Sequence, residues 1–223
     1  MIKKHKEHGG IKYILSLPNN YRTDVKYPLL IFLHGAGTRG NNTEELLKNP
    51  FFTETGDNIA DFIVAAPQCH ADSWFDIFEQ LYDFIVYVIN DYNVDRDRCC
   101  LIGASMGGYA VWQEAMSHPE LYAAIVPICG GGMYWNAGRL KNIKIHAFHG
   151  SEDKTVFPEE SEKMVDAVNR CGGCAKLTVY DGTGHDSWNR VYQDKKLFEW
   201  LKNQKKINAN ICEDKLNNSK QFG

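Results

Sequence analysis

The stretch "CCLIGASMGGYAVW", Cys99 to Trp112, decides how this chain folds. An apolar, strand-like run passes through Gly103-Ala104-Ser105-Met106-Gly107 into a helix-like run. Glycine weakens both kinds of regular structure, so its place two residues before and two after Ser105 needs a cause. A sharp strand-to-helix turn supplies one, because side chains at those two positions would collide across the turn. The pattern is Gly-x-Ser-x-Gly, in which strain holds the serine hydroxyl out of the backbone. Ser105 is therefore the candidate nucleophile, against the plainer alternative of a tightly packed glycine-rich turn. The helix that follows begins behind it and lends positive potential to developing negative charge.

Working outward, strand-like and helix-like runs alternate. Leu29 to His34, Phe62 to Pro67, Cys99 to Gly103, Ala123 to Cys129 and Ile143 to Phe148 are short, mostly continuous apolar runs, as strands covered on both faces are. Lys176 to Asp181 is a further candidate. Ile11 to Leu17 alternates apolar and polar, as a strand with one exposed face does. Ile77, Leu81, Phe84, Ile85 and Val88 recur at helical spacing. Pro158 opens a helix that Gly172-Gly173 ends, and a last helix is expected from about Val191 to Leu201. This order predicts an α/β fold: a mostly parallel central sheet of about seven or eight strands with helices on both faces. No linker or repeat divides the chain, so one domain over residues 1–223 is expected, with about 208–223 a loose polar tail.

In such sheets ligands bind beyond the carboxyl ends of the strands. A serine hydroxyl there needs a base, and the base needs a group that fixes its tautomer. Downstream, "HGSEDKTV" places Asp153 after one strand, and "GTGHDSW" places His185 after the next. Glu152 and Asp186 are rival carboxylates, although Asp186 adjoins His185 and a straight bond to that ring is difficult. The backbone N–H of Met106 and that of Ala36, with Gly37 second, are the candidate oxyanion donors. The latter two lie in "HGAG" after the Leu29 to His34 run. His34 is expected to fix that loop, and His149 to support another.

These segments together resemble the α/β-hydrolase superfamily. The likeness is to its small serine esterases, grouped with feruloyl and acetylxylan esterases, polyhydroxybutyrate depolymerases and prolyl-oligopeptidase-like hydrolases. It is carried by "YPLLIFLHGAGTRG", "VAAPQC", "DRDRCCLIGASMGGYAVWQEAMSHPELYAAIVPICGG", "HGSEDKTV" and "GTGHDSW". The resemblance implies a carboxylic-ester hydrolase working through an acyl-enzyme, with Ser105, Asp153 and His185 catalytic and Ala36 and Met106 at the oxyanion site. Small or short-acyl esters are the implied substrates, aromatic (feruloyl-like) acyl groups among them. A peptidase or thioesterase on the same groups, or a non-catalytic receptor on the same fold, are the alternatives. Gly130 to Asn142 is too short for a helical lid, so an open site is expected. Trp74, Trp135 and Trp188 are candidate substrate-binding residues, with loop or core roles equally open.

Composition narrows the partners. The 223 residues carry a formal charge of −3 with acids and bases interspersed, which gives nucleic acid no basic surface. No apolar run is long enough to span a membrane, and the basic start lacks the apolar stretch of an export signal. Seven cysteines, an odd number with several in strand-like runs, fit reduced thiols in the cytoplasm. "CGGC", Cys171 to Cys174, follows a helix instead of opening one and has no second pair, so a plain turn is expected. No cofactor and no metal is expected, and the sequence says nothing of oligomeric state.

Overall fold

The computed structural model describes residues 2–206. The strands are β1 (Ile2–His8), β2 (Ile11–Leu17), β3 (Tyr27–Leu33), β4 (Ile63–Pro67), β5 (Val94–Ala104), β6 (Ala124–Ile128), β7 (Lys144–Gly150) and β8 (Cys174–Tyr180). The helices are α1 (Thr43–Leu47), α2 (Pro50–Glu54), α3 (Phe78–Asp91), α4 (Met106–Ser117), α5 (Glu159–Arg170), α6 (Trp188–Gln193) and α7 (Lys195–Lys202). The eight strands form one open sheet in the order β1-β2-β4-β3-β5-β6-β7-β8. β1 and β2 run antiparallel to their neighbours and every other pairing is parallel. This is the expected α/β architecture. The expected tail from 208 to 223, and Cys212 within it, lie outside the described residues.

The continuous apolar runs have a simple cause. Leu29, Ile31 and Leu33 of β3 and Cys99 and Leu101 of β5 enter one core with α3, α4 and α5. The alternate residues, Leu30, Phe32, Cys100, Ile102 and Ala104, enter a second core with α1, α2, α6 and α7. Successive side chains point to opposite faces, so a strand covered twice has no polar side to show. Among the described residues no helix is long and apolar enough to cross a membrane.

One element was not anticipated and two local expectations are corrected. The basic opening segment is a strand, β1, joined to β2 by Gly9 (φ 56) and Gly10 (φ 82). Two consecutive residues at positive φ are what a two-residue type I′ hairpin requires. β2 consequently lies inside the sheet, with Ser16 buried instead of facing solvent. The last helix is two: Asp194 breaks it and caps the second piece, its side chain accepting from the N–H groups of Lys196 and Leu197.

One buried group makes stability depend on pH. Glu114 of α4 is fully buried; Tyr122 donates to its Oε1 at 3.0 Å, and Oε2 finds no partner among the described residues. Burial is the main cause that pushes this carboxyl from 4.5 up to about 7, partly offset by the Tyr122 bond, with Glu120 and Glu79 adding to the rise. A raised folded-state value means that ionisation opposes folding. The neutral acid is fully tolerated below about pH 4.5, and stability falls as pH rises from there to about 7, by up to about 3 kcal/mol. Glu114→Gln should abolish that part of the slope. Denaturant titrations of both proteins at pH 4.5 and 8 check it, because their difference isolates this group.

Candidate active site

The sheet reverses its winding between β3, which leads to β4 on one side, and β5, which leads to β6 on the other. The carboxyl ends of these adjacent strands form the crevice where such folds hold ligands. Ser105 sits there, directly between β5 and α4, at φ 57 and ψ −119. A non-glycine residue with such a φ costs about 1–3 kcal/mol and persists only where its surroundings enforce it. Here the enforcement is visible. A Cβ on Gly107 would stand 1.9 Å from the Leu33 carbonyl oxygen, and one on Gly103 2.6 Å from that of Gly107. Gly107→Ala should therefore cost more than about 4 kcal/mol, as an overpacked backbone contact that cannot relax. Soluble yield and the denaturation midpoint read the effect.

The loop 151–158 after β7 carries Asp153, and the loop after β8 carries His185. Nδ1–H of His185 donates to Asp153 Oδ2 at 2.7 Å, and its Nε2 accepts from the Ser105 hydroxyl at 2.8 Å. The rival carboxylates Glu152 and Asp186 are exposed, and only Asp153 reaches the ring. Asp153 is 2% exposed, and its Oδ1 accepts from the N–H groups of Thr155 (2.9 Å) and Val156 (3.0 Å). Burial alone would raise this carboxyl. The bonds from His185, Val156 and Thr155 outweigh it and leave it below the ordinary carboxylate range, hence ionised. Buried His149 braces the same loop: Nε2 lies 2.9 Å from the Val156 carbonyl and 3.3 Å from Asp153 Oδ2, and Nδ1 2.7 Å from Ser161 Oγ.

Ala36 and Gly37 lie on the loop after β3, in a short 3-10 turn. A Cβ on Gly35 would come 3.5 Å from that of Ser105, so this loop passes close to the hydroxyl. Among the described residues the N–H groups of Ala36 and Met106 have no acceptor, leaving both free for an incoming oxygen. His34 fixes the loop as expected. Its Nδ1–H donates to the Gly35 carbonyl at 2.7 Å and its Nε2 accepts from the N–H of Cys69 at 3.0 Å. Burial pushes this imidazole down to about 4, so it stays neutral and keeps both bonds. Arg39, which no motif marks, ties the loop further by donating from Nε to the Ala36 carbonyl at 2.9 Å.

A cavity of about 490 Å³ opens beside Ser105 and His185, walled by Phe32, Pro50, Trp188 and Tyr192. Trp188 thus lines this cavity, with its ring edge-on to His185 at 5.2 Å. The other two tryptophans are corrected. Trp74 is fully buried outside this cavity and donates from Nε1 to the His34 carbonyl at 3.0 Å, a loop-fixing bond. Trp135 is 73% exposed and packs edge-on to Tyr134, outside the cavity wall. Its segment is only a 3-10 turn, Tyr134–Leu140.

A buried thiol also belongs to this neighbourhood. Cys129 follows β6 at φ 40, and its Sγ lies within 4.8 Å of a carboxylate oxygen of Asp153 and a ring nitrogen of His185. Burial is the chief cause that pushes this thiol up to about 12, so it is protonated and a poor nucleophile. Sequence spacing gave no hint of this approach, because the three residues meet only through the pairing of β6, β7 and β8. Cys171 and Cys174, by contrast, are both exposed.

Comparison with known proteins gives a family and related folds. A family described as "Putative esterase" matches residues 8–216. A thermostable esterase of known structure is 31% identical with a TM-score of 0.80, over 92% of this chain and 63% of its own. This chain thus spans under two thirds of that protein. The feruloyl esterase module from Clostridium thermocellum, complexed with sinapinate, is 17% identical with a TM-score of 0.66, over 93% of this chain and 90% of its own. The Pyrococcus horikoshii acylaminoacyl peptidase is 15% identical with a TM-score of 0.67, over 93% of this chain and 42% of its own. At such identities the last two show a shared fold. No curated protein matches.

Proposed function

This chain belongs to the family described as "Putative esterase", and from that premise we propose that it is a serine carboxylic-ester hydrolase acting through an acyl-enzyme on small or short-acyl esters. The observation that carries the proposal is the series Ser105 Oγ, His185 Nε2, His185 Nδ1, Asp153 Oδ2, linked at 2.8 and 2.7 Å. In this reading Ser105 attacks the ester carbonyl while His185 takes its proton. The oxyanion is held by the N–H groups of Met106 and Ala36, with Gly37 as the second choice on that loop. Each such donor is worth about a hundredfold to a thousandfold in turnover. His185 then passes its proton to the departing alcohol, and ionised Asp153 stabilises the imidazolium in between. Water repeats the cycle and frees the acid.

The cavity wall of Phe32, Trp188 and Tyr192 favours an apolar or aromatic acyl group. Four buried free thiols, Cys69, Cys99, Cys100 and Cys129, favour a reducing compartment, the cytoplasm. The test is a panel of p-nitrophenyl acetate, butyrate and ferulate set beside acyl thioesters and aminoacyl anilides. Ester turnover with an initial burst of nitrophenol is expected. Faster cleavage of the thioesters or anilides would move the proposal to a thioesterase or a peptidase.

A further inference from the structure

Cys129, Asp153 and His185 present a thiol, a carboxylate and an imidazole whose ligating atoms all lie within 4.8 Å of one another. That donor set suits a borderline-soft divalent cation of zinc type. Around tetrahedral zinc, donors at about 2.0–2.3 Å from the metal stand roughly 3.2–3.7 Å apart. The Asp153–His185 bond, 2.7 Å long, would have to open by roughly half an ångström, and the sulfur to close in by a comparable or larger movement. These movements fall to the side chains, because the loop that carries His185 is tied to the end of β7: the Thr183 carbonyl accepts from the N–H of Glu152 at 2.9 Å, and the N–H of Gly182 donates to Ser151 Oγ at 2.9 Å. The His185 ring borders the open cavity, with Cys129 and Asp153 buried behind it, so an ion reaches the three donors by turning that ring aside.

We propose that these three residues form an inhibitory Zn²⁺ site built into the base of the triad. Binding displaces the thiol proton of Cys129 to solvent. It also requires the lone pair of His185 Nδ1, whose proton is lost as one is taken up at Nε2. The imidazole stays neutral and one proton is released per ion. Nε2–H then points at Ser105 Oγ as a donor, and the hydroxyl has no base. The wrong tautomer alone costs about 10⁴ in serine hydrolases, so turnover should track the metal-free fraction. The inhibition rests on the function proposed above; the site itself does not.

The experiment uses the full chain with Cys171, Cys174 and Cys212 changed to Ser, which removes the exposed pair and the thiol beyond the described residues. Cd²⁺ is titrated as the spectroscopic stand-in, followed by Zn²⁺. Metal–thiolate absorption should saturate at one ion per chain, ester turnover should fall in step, and a chelator should restore it. Adding Cys129→Ser should remove the absorption and shift inhibition, scaled to that variant's own metal-free rate, by more than about tenfold in concentration. His185→Asn, which leaves the thiol in place, should weaken Cd²⁺ binding as well. Absorption and inhibition that survive Cys129→Ser would overturn the proposal, as would no thiolate absorption at saturating metal. Cys129-dependent absorption without loss of turnover would leave a metal site but refute the role given to His185.

Discussion

Ser105→Ala is expected to lower ester turnover by about 10⁵ to 10⁶-fold, with KM little changed and covalent labelling by a fluorophosphonate abolished. The size follows from the linkage at the site. His185 Nε2 faces only the Ser105 oxygen in the series with Asp153. Removing that oxygen removes the nucleophile and leaves the base nothing to activate. What survives is the contribution of the oxyanion donors and of binding, about 10³ to 10⁴ over water. Stability should hardly fall, because the hydroxyl is part-exposed and the backbone of the turn is set by its glycines. Ser105→Gly tests the strain separately. Glycine adopts φ 57 freely, so that variant should be as inactive yet more stable by about 1 kcal/mol. Equal turnover in wild type and Ser105→Ala would refute the proposed mechanism.

Asp153→Asn is expected to lower kcat by about 10⁴-fold without unfolding the protein. The reason lies in the two backbone bonds to Oδ1 from Thr155 and Val156. An asparagine there must keep its carbonyl oxygen on those N–H groups, which turns its NH₂ toward His185 Nδ1. That nitrogen must then accept, so the proton moves to Nε2, and the ring donates to Ser105 where it should receive. Steady-state kinetics from pH 6 to 9 check this, with near-ultraviolet dichroism showing that packing is kept. A loss below tenfold would mean that Asp153 does not fix the tautomer. Asp153→Ala is a harsher test, because the two N–H groups would then be buried without an acceptor, at about 1–3 kcal/mol.

What could be read from the sequence divides along a physical line. The elbow was legible because its cause is local: Gly103 and Gly107 stand where backbone meets backbone, whatever the rest of the chain does. The strands of the interior were legible because burial on both faces leaves no polar alternation. Asp153 and His185 could be placed because parallel strands deliver their following loops to one rim. The cavity walls could not. Phe32 and Tyr192 lie 160 positions apart and meet edge-on at 6.0 Å only after α6 folds back over the sheet. Trp74 looked like a site residue because aromatic loops near a rim often are, whereas its indole N–H was needed beneath the His34 carbonyl. The β1–β2 hairpin had its signal in Gly9-Gly10, but Ile2 to His8 lacks the apolar alternation that marks a strand.

Among the described residues β8 forms the outer margin of the sheet, paired only with β7 and part-open to solvent along its length. The loop it ends in holds the ring on which the proposed chemistry depends, whereas Ser105 hangs from β5 near the middle. In the proposed mechanism the nucleophile thus hangs from an interior strand and the proton carrier from the hem. Fraying that never reaches the interior would be enough to silence it, and the same edge, once re-zipped, would restore competence without refolding the rest.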